Sequence, residues 1–134
     1  MPKEKDQYKI LVIDDDAFLL DMYALKFTQK GFHVETSSGT IQALEKLGEG
    51  YTPDVIVVDL VMPTMDGFEF IEKVKEEGFA PKAKIIILSN LGQQEDVDRG
   101  MKLGIADYII KASATPSEVV GKVLEAIEKK LKKQ

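Results

Sequence analysis

The sequence contains no cysteine, which rules out disulfides and thiolate metal sites and suits a reducing compartment without proving one. It has no apolar run approaching the ~20 residues that span a bilayer. The opening stretch Met1–Asp6 is charged and lacks an apolar h-region, so no signal peptide is expected. An excess of basic charge is also missing: the formal net charge of −5 argues against general binding to nucleic acid or to an anionic membrane. One basic cluster, Lys129-Lys130-Leu131-Lys132-Lys133, reads as cations at a helix end, where they suit the dipole. Linkers, internal repeats and low-complexity stretches are absent as well. With 134 residues, 44% of them hydrophobic and 31% charged, the chain is long enough for one substantial core and too short for two. The expectation is a cytoplasmic, soluble single domain over 1–134, with a tail at 1–8 and a core at about 9–130.

Present instead are four short apolar runs that end in reactive groups. Lys9–Ile13 runs into Asp14, Asp15 and Asp16, and Asp54–Asp59 ends in a carboxylate. Lys84–Ser89 ends in a hydroxyl, and Asp107–Lys111 ends in an ammonium group. Runs of Ile, Leu and Val bounded by polar residues predict strands buried on both faces, as in a parallel sheet. The terminal residues then gather at the carboxyl edge of that sheet, where open α/β folds bind ligands.

Between these runs the pattern is helical. Ala17–Lys30 places Phe18, Leu19, Met22, Leu25 and Phe27 near helical spacing, with Gly31 as a stop. Phe32–Ser37 predicts a short, weakly alternating strand. Thr40–Leu47 predicts a helix with Ile41, Ala43, Leu44 and Leu47 on one face, and Met62–Gly67 is a loop by its Pro and Gly. Phe68–Glu77 and Gln93–Leu103 predict two more helices. Thr115-Pro116-Ser117-Glu118 carries a capping box that opens a last helix. Its stripe is Val119, Val120, Val123, Leu124, Ile127 and Leu131, with Glu125–Lys129 as an i,i+4 pair on the solvated side. Five strands alternating with five helices predict a doubly wound five-stranded parallel sheet covered on both faces.

Three carboxylates at one edge repel one another, and a hard divalent cation such as Mg²⁺ relieves that repulsion. Asp59 alone at a strand tip can act as a nucleophile toward phosphorus, with Mg²⁺ and Lys111 countering charge on the phosphoryl oxygens. Any one of these aspartates alone would be read as a cap, and Asp16 is read so for the helix beginning at Ala17. Capping does not account for Lys111 and Ser89 at the same edge.

These residues resemble the receiver domain of bacterial response regulators, the chemotaxis-type phospho-acceptor module of two-component signalling. The resemblance runs from about Lys9 to Lys130. It rests on Asp14-Asp15, Asp59, Met62-Pro63-x-Met65-Asp66-Gly67, Ser89, Gly104-x-Ala106-Asp107-Tyr108 and Lys111, in that order. It implies a (βα)5 flavodoxin-like fold and phosphorylation of Asp59 by a sensor histidine kinase or a small phosphodonor. It implies further that Asp15 and Asp59 bind Mg²⁺, with Asp14 holding a coordinated water and the Val61 backbone carbonyl completing the shell. Lys111 would pair with the phosphoryl group, Ser89 would be the switch hydroxyl and Tyr108 the aromatic rotamer switch. The surface of the fourth helix, fifth strand and fifth helix would then meet a downstream protein or support a phosphorylation-linked homodimer.

Two positions depart from the family pattern. Lys111 is usually followed by a cis proline, and here Ala112 follows; a cis bond at a non-proline residue costs ~3–4 kcal/mol. The bond is either trans with a rearranged loop or cis under strain. The residue after Ser89 is usually small, and here Asn90 could restrict Tyr108 or reach the phosphoryl group. Val61 and Leu91, each two residues beyond a site residue, offer no hydrogen bond to an attacking water, so slow phosphoryl loss is expected. His33 is expected to be a solvated surface residue. A Mg²⁺-dependent phosphohydrolase with an aspartyl nucleophile is the competing class; it lacks support because Val61 stands where that class carries a second, proton-donating Asp. A phosphorylation-independent scaffold is disfavoured because the acceptor, metal and hydroxyl positions are all filled. The chain is expected to be either a stand-alone receiver or a piece of a longer regulator.

Overall fold

Five short strands rich in Ile, Val and Leu alternate with five helices over residues 8–132, the part of the chain that the computed structural model describes. The tail through Gln7, the Lys129–Lys133 cluster, the Glu125–Lys129 pair and Leu131 lie outside the described residues or side chains. The elements are β1 (Lys9–Ile13), α1 (Ala17–Gln29), β2 (His33–Ser37), α2 (Thr40–Gly48), β3 (Val55–Val58), α3 (Gly67–Glu77), β4 (Lys84–Ser89), α4 (Gln94–Lys102), β5 (Asp107–Ile110) and α5 (Pro116–Lys132). A single 3-10 turn, Lys111–Ser113, separates β5 from α5.

All strand pairs are parallel, and the order across the sheet is β2-β1-β3-β4-β5. This is the doubly wound, flavodoxin-like arrangement. The strand order reverses between β1 and β3, which makes a crevice at their carboxyl ends. The register pairs Ile13 with Val58, so Asp14 and Asp59 follow side by side at that reversal.

Strand period sends alternate residues to opposite faces. Ile10, Val12, Val55, Val57, Ile86, Leu88 and Ile109 pack under α1 and α5. Leu11, Ile13, Ile56, Val58, Ile85 and Ile87 pack on the other face, with Ala43, Leu47, Phe70, Ile71 and Val74 from α2 and α3. Both faces being covered explains why the strands read as continuous apolar runs rather than alternating ones.

Three details differ from the sequence expectation. The inward face of α1 is Leu20, Tyr23 and Phe27, while Phe18 and Leu25 are exposed at 71% and 51%. The spacing of three and then four residues fits one stripe for the observed set, and Phe18 and Leu25 lie off that stripe. In α2 the buried positions are Thr40, Ala43 and Leu47, and Ile41 faces solvent. Lys111 opens the 3-10 turn instead of ending β5.

Candidate functional site

Asp14 and Asp59 leave β1 and β3 as buried carboxylates, and Lys111 reaches both. The Lys111 Nζ is 2.5 Å from Asp59 Oδ2 and 2.7 Å from Asp14 Oδ2. Each carboxylate has a second anchor from the backbone just beyond it. Asp14 Oδ1 accepts the Asp16 N–H at 2.9 Å, and Asp59 Oδ1 accepts the Val61 N–H at 3.1 Å. These short Asx-type bonds hold the side chains while the backbone turns toward the next helix.

Asp15 is exposed beside them, and Asp14, Asp15 and Asp59 each bring a carboxylate oxygen within 4.8 Å of the others. With all four groups ionised, three carboxylates and one ammonium leave two net negative charges in this crevice. The donors are all hard oxygens, with no imidazole or thiolate, which fits Mg²⁺ and not a soft metal.

Burial and charge shift these groups in understandable directions. Burial raises the Asp14 carboxyl, and the hydrogen bonds from Lys111 and Asp16 offset only part of that. Burial alone would lower the Lys111 ammonium, but its hydrogen bonds to Asp14 and Asp59 prevail and raise it. Lys111 therefore stays charged throughout the physiological range.

Ser89 is fully buried at the end of β4, and its Oγ accepts the Leu91 N–H at 3.4 Å. Tyr108 is half-buried on β5, and its hydroxyl donates to the Leu91 carbonyl instead of projecting into water. Burial, with the charges of Asp96 and Asp59, pushes its phenol up to about 12. The loop after β4 is thus tied to Ser89 and to Tyr108 through the same residue, Leu91.

With this geometry in place, comparison with known proteins is specific. The family model for the response regulator receiver domain matches residues 10–123. The chain belongs to that family. This receiver domain is 36% identical over 126 residues to the chemotaxis protein CheY of Bacillus subtilis, spanning 92% of this chain and 98% of that one. It is 31% identical over 115 residues to PhoB, the phosphate regulon transcriptional regulatory protein of Escherichia coli, spanning 86% of this chain but 49% of that one. The solved structure of Vibrio cholerae CheY4 superimposes with a TM-score of 0.81 at 26% identity, covering 89% of this chain and 98% of that one. The sequence resemblance to a chemotaxis-type receiver is therefore correct, and so is the fold.

Both departures in the receiver pattern resolve in the structure. No cis peptide occurs among the described residues, so Lys111–Ala112 is trans, and Lys111 still reaches Asp59 and Asp14. The Asn90 side chain is engaged elsewhere: its Oδ1 accepts the Ala112 N–H at 2.8 Å. Val61 and Leu91 flank the crevice with side chains 58% and 42% exposed, and His33 is exposed as expected.

Three contributors were given no structural role from the sequence, although Asp66 and Gly67 stand in its Met62–Gly67 motif. A Cβ on Gly67 would lie 2.5 Å from the Asp59 carbonyl oxygen, so only glycine lets the loop return against the acceptor strand. Thr40, buried at the start of α2, donates from Oγ1 to the Met65 carbonyl at 2.6 Å and pins that loop from the far side. Asp66 and Glu69 form a capping box on α3, a spacing that was present in the sequence. Thr40 acts through a partner 25 residues away, so no local signal could reveal it.

Among the described residues, α4 buries only Gly100. A Cβ there would meet Ile105 at 2.8 Å and Ile87 at 3.0 Å, so the helix backbone approaches the sheet closely. Arg99 of α4 also reaches α3, its guanidinium 4.3 Å from the centre of the Phe68 ring and 3.8 Å from Glu72.

Proposed function

We propose that this receiver domain takes a phosphoryl group onto Asp59 and returns to its resting state by slow hydrolysis. The observation that carries this is the pairing of a buried aspartate with Lys111 in a crevice that also holds the carboxylates of Asp14 and Asp15. An Asp59 carboxylate oxygen attacks phosphorus of a phosphohistidine or of acetyl phosphate. The new P–O bond forms as the P–N or P–O bond to the donor breaks, and imidazole or acetate leaves. Lys111, already at the carboxylate, stays beside the incoming phosphoryl oxygens and offsets their charge. Asp15 and Asp59 would hold Mg²⁺, with Asp14 acting through a coordinated water and the Val61 carbonyl as a further oxygen. The ion supplies charge neutralisation at the phosphoryl oxygens.

Ser89 would turn its hydroxyl toward the new phosphoryl group and give up the Leu91 N–H. That exchange moves the residue on which Tyr108 rests, so the surface of α4, β5 and α5 changes with it. A sensor histidine kinase is the expected donor, and a downstream protein, or a second copy of the chain, is the expected reader of that surface. The domain then catalyses only its own phosphorylation and dephosphorylation.

The test is intact mass after incubation with acetyl phosphate and Mg²⁺. A stable gain of ~80 Da that disappears in Asp59→Asn supports the acceptor role. Continuous turnover of phosphate esters with no accumulating adduct would instead establish the phosphohydrolase class.

A further inference from the structure

β4 and β5 are paired so that Ser89 lies beside Ile110. The next residue on each strand, Asn90 and Lys111, therefore leaves the sheet at the same level. Ala112 follows Lys111 as the second residue of the 3-10 turn, and that turn is closed by the Ala114 N–H on the Lys111 carbonyl at 3.4 Å. N–H groups in the first residues of such a turn have no partner within it. Here the side chain of Asn90, 22 residues away, supplies one: its Oδ1 accepts the Ala112 N–H at 2.8 Å. The bond requires a residue other than proline at 112, because proline has no N–H to donate.

Asn90 is itself held in place. The neighbouring Leu91 carbonyl takes the Tyr108 hydroxyl, and the Leu91 N–H is bonded to Ser89 Oγ. Gly92 is pressed against Ile110, where an added Cβ would lie 2.8 Å from the Ile110 side chain. The loop after β4 is thus fastened to β5 on both sides of Asn90, and the Asn90 amide carries that fixed position across to the Lys111 turn. Lys111 leaves this turn to reach Asp59 at 2.5 Å and Asp14 at 2.7 Å. The turn's orientation sets where the lysine stem begins.

We propose that Asn90 is the positioning residue for Lys111: its side-chain oxygen, cross-linking the loop after Ser89 to the Ala112 N–H, sets the turn from which Lys111 meets the acceptor. The same cross-link joins the residue after the switch hydroxyl to the residue after the phosphoryl-binding ammonium. A movement of Ser89 therefore reaches Lys111 without passing through the crevice. This role rests on Asp59 being the phosphoryl acceptor.

The experiment has one readout without metal or phosphodonor and one with both. In the full chain, amide exchange at Ala112 is followed by NMR in wild type, Asn90→Ala and Asn90→Asp, the last of which keeps the acceptor oxygen. Protection of the Ala112 amide is expected in wild type and Asn90→Asp, with exchange roughly tenfold faster in Asn90→Ala. The rate of the Asp59-dependent mass gain from acetyl phosphate and Mg²⁺ is then compared for Asn90→Ala in the Lys111 and Lys111→Ala backgrounds. A slowing of roughly three- to tenfold with Lys111 present, and none with Lys111→Ala, is expected. Unchanged Ala112 exchange, an unchanged rate, or equal slowing in both backgrounds overturns the positioning role. A wild-type chain that gains no Asp59-dependent mass overturns the acceptor role and this one with it, whereas normal phosphorylation of both wild type and Asn90→Ala overturns only the positioning role.

Discussion

Lys111 Nζ sits 2.5 Å from Asp59 Oδ2, with the two side chains only 10% and 8% exposed. The same ammonium serves Asp14 at 2.7 Å. Such a group holds the acid crevice together, and under the proposed function it would compete with Mg²⁺ for the same oxygens. Lys111 is thus a structural counter-ion and, under the proposed function, also a partner for phosphoryl oxygens, and the two roles are separable by experiment.

Lys111→Ala should tighten Mg²⁺ binding about tenfold, because a competing positive charge leaves the crevice. Without Mg²⁺ the variant should lose roughly 3 kcal/mol of stability, as two buried carboxylates are left facing each other. Saturating Mg²⁺ should restore most of that loss. Calorimetric titration and urea unfolding with and without Mg²⁺ check both parts, and unchanged or weaker Mg²⁺ affinity would refute the competition.

Two glycines should respond in opposite directions to alanine. At Gly67 the new Cβ would meet the Asp59 carbonyl oxygen at 2.5 Å and the Leu60 Cα at 2.8 Å, and backbone cannot step aside cheaply. A loss of ~1–3 kcal/mol and slower phosphorylation are expected. Gly121 lies exposed within α5 with nothing within 4 Å of an added Cβ. Gly121→Ala should gain about 0.5–1 kcal/mol by restraining the unfolded chain and improving helix propensity. Urea midpoints that move the same way in both variants would contradict this contrast.

Alkaline pH should probe the Tyr108 contact. The phenol is raised from 10.0 to about 12, chiefly by burial and then by the charges of Asp96 and Asp59, so the folded state favours the neutral hydroxyl. Its contribution to stability is fully present below pH 10 and is lost as pH rises through about 12. The urea midpoint of the wild type should therefore fall across this window more steeply than that of Tyr108→Phe. Tyr51, also raised to about 12, contributes equally to both proteins and cancels in the comparison. Parallel pH profiles for the two proteins would refute the Tyr108 contribution.

The rim of the crevice should set the lifetime of the phosphorylated state. Val61 and Leu91 present exposed aliphatic side chains there, and neither can orient a water for attack. The combined Val61→Asn and Leu91→Glu variant should lose phosphate measurably faster, with its phosphorylation still dependent on Asp59. Decay of the adduct followed by intact mass decides it, and an unchanged half-life would refute the idea.

How much of this was legible in the chain can be judged residue by residue. The strand ends were visible because an Ile, Leu and Val run stopped by a charged or hydroxyl residue is a local pattern with a single period. The caps at Asp16 and Thr115 were equally local, and both form as expected. The inward face of α1 was misassigned: Phe18 and Leu25 are as hydrophobic as Leu20 and Phe27, and hydrophobicity alone does not say which stripe meets the sheet.

Periodicity and order along the chain were enough for the parallel α/β architecture and for the gathering of Asp14, Asp15, Asp59, Ser89 and Lys111 at one edge, and the motifs at those strand ends carried the family resemblance. The tertiary structure alone decided that Lys111 reaches two carboxylates from a trans turn, that Asn90 caps that turn, and that Gly67 and Thr40 hold the acceptor loop. Apart from Gly67, which meets Asp59 only 8 positions away, those contacts join residues 22 to 97 positions apart. Such pairs meet only when strand order and register bring their backbones together, and no local propensity encodes that meeting.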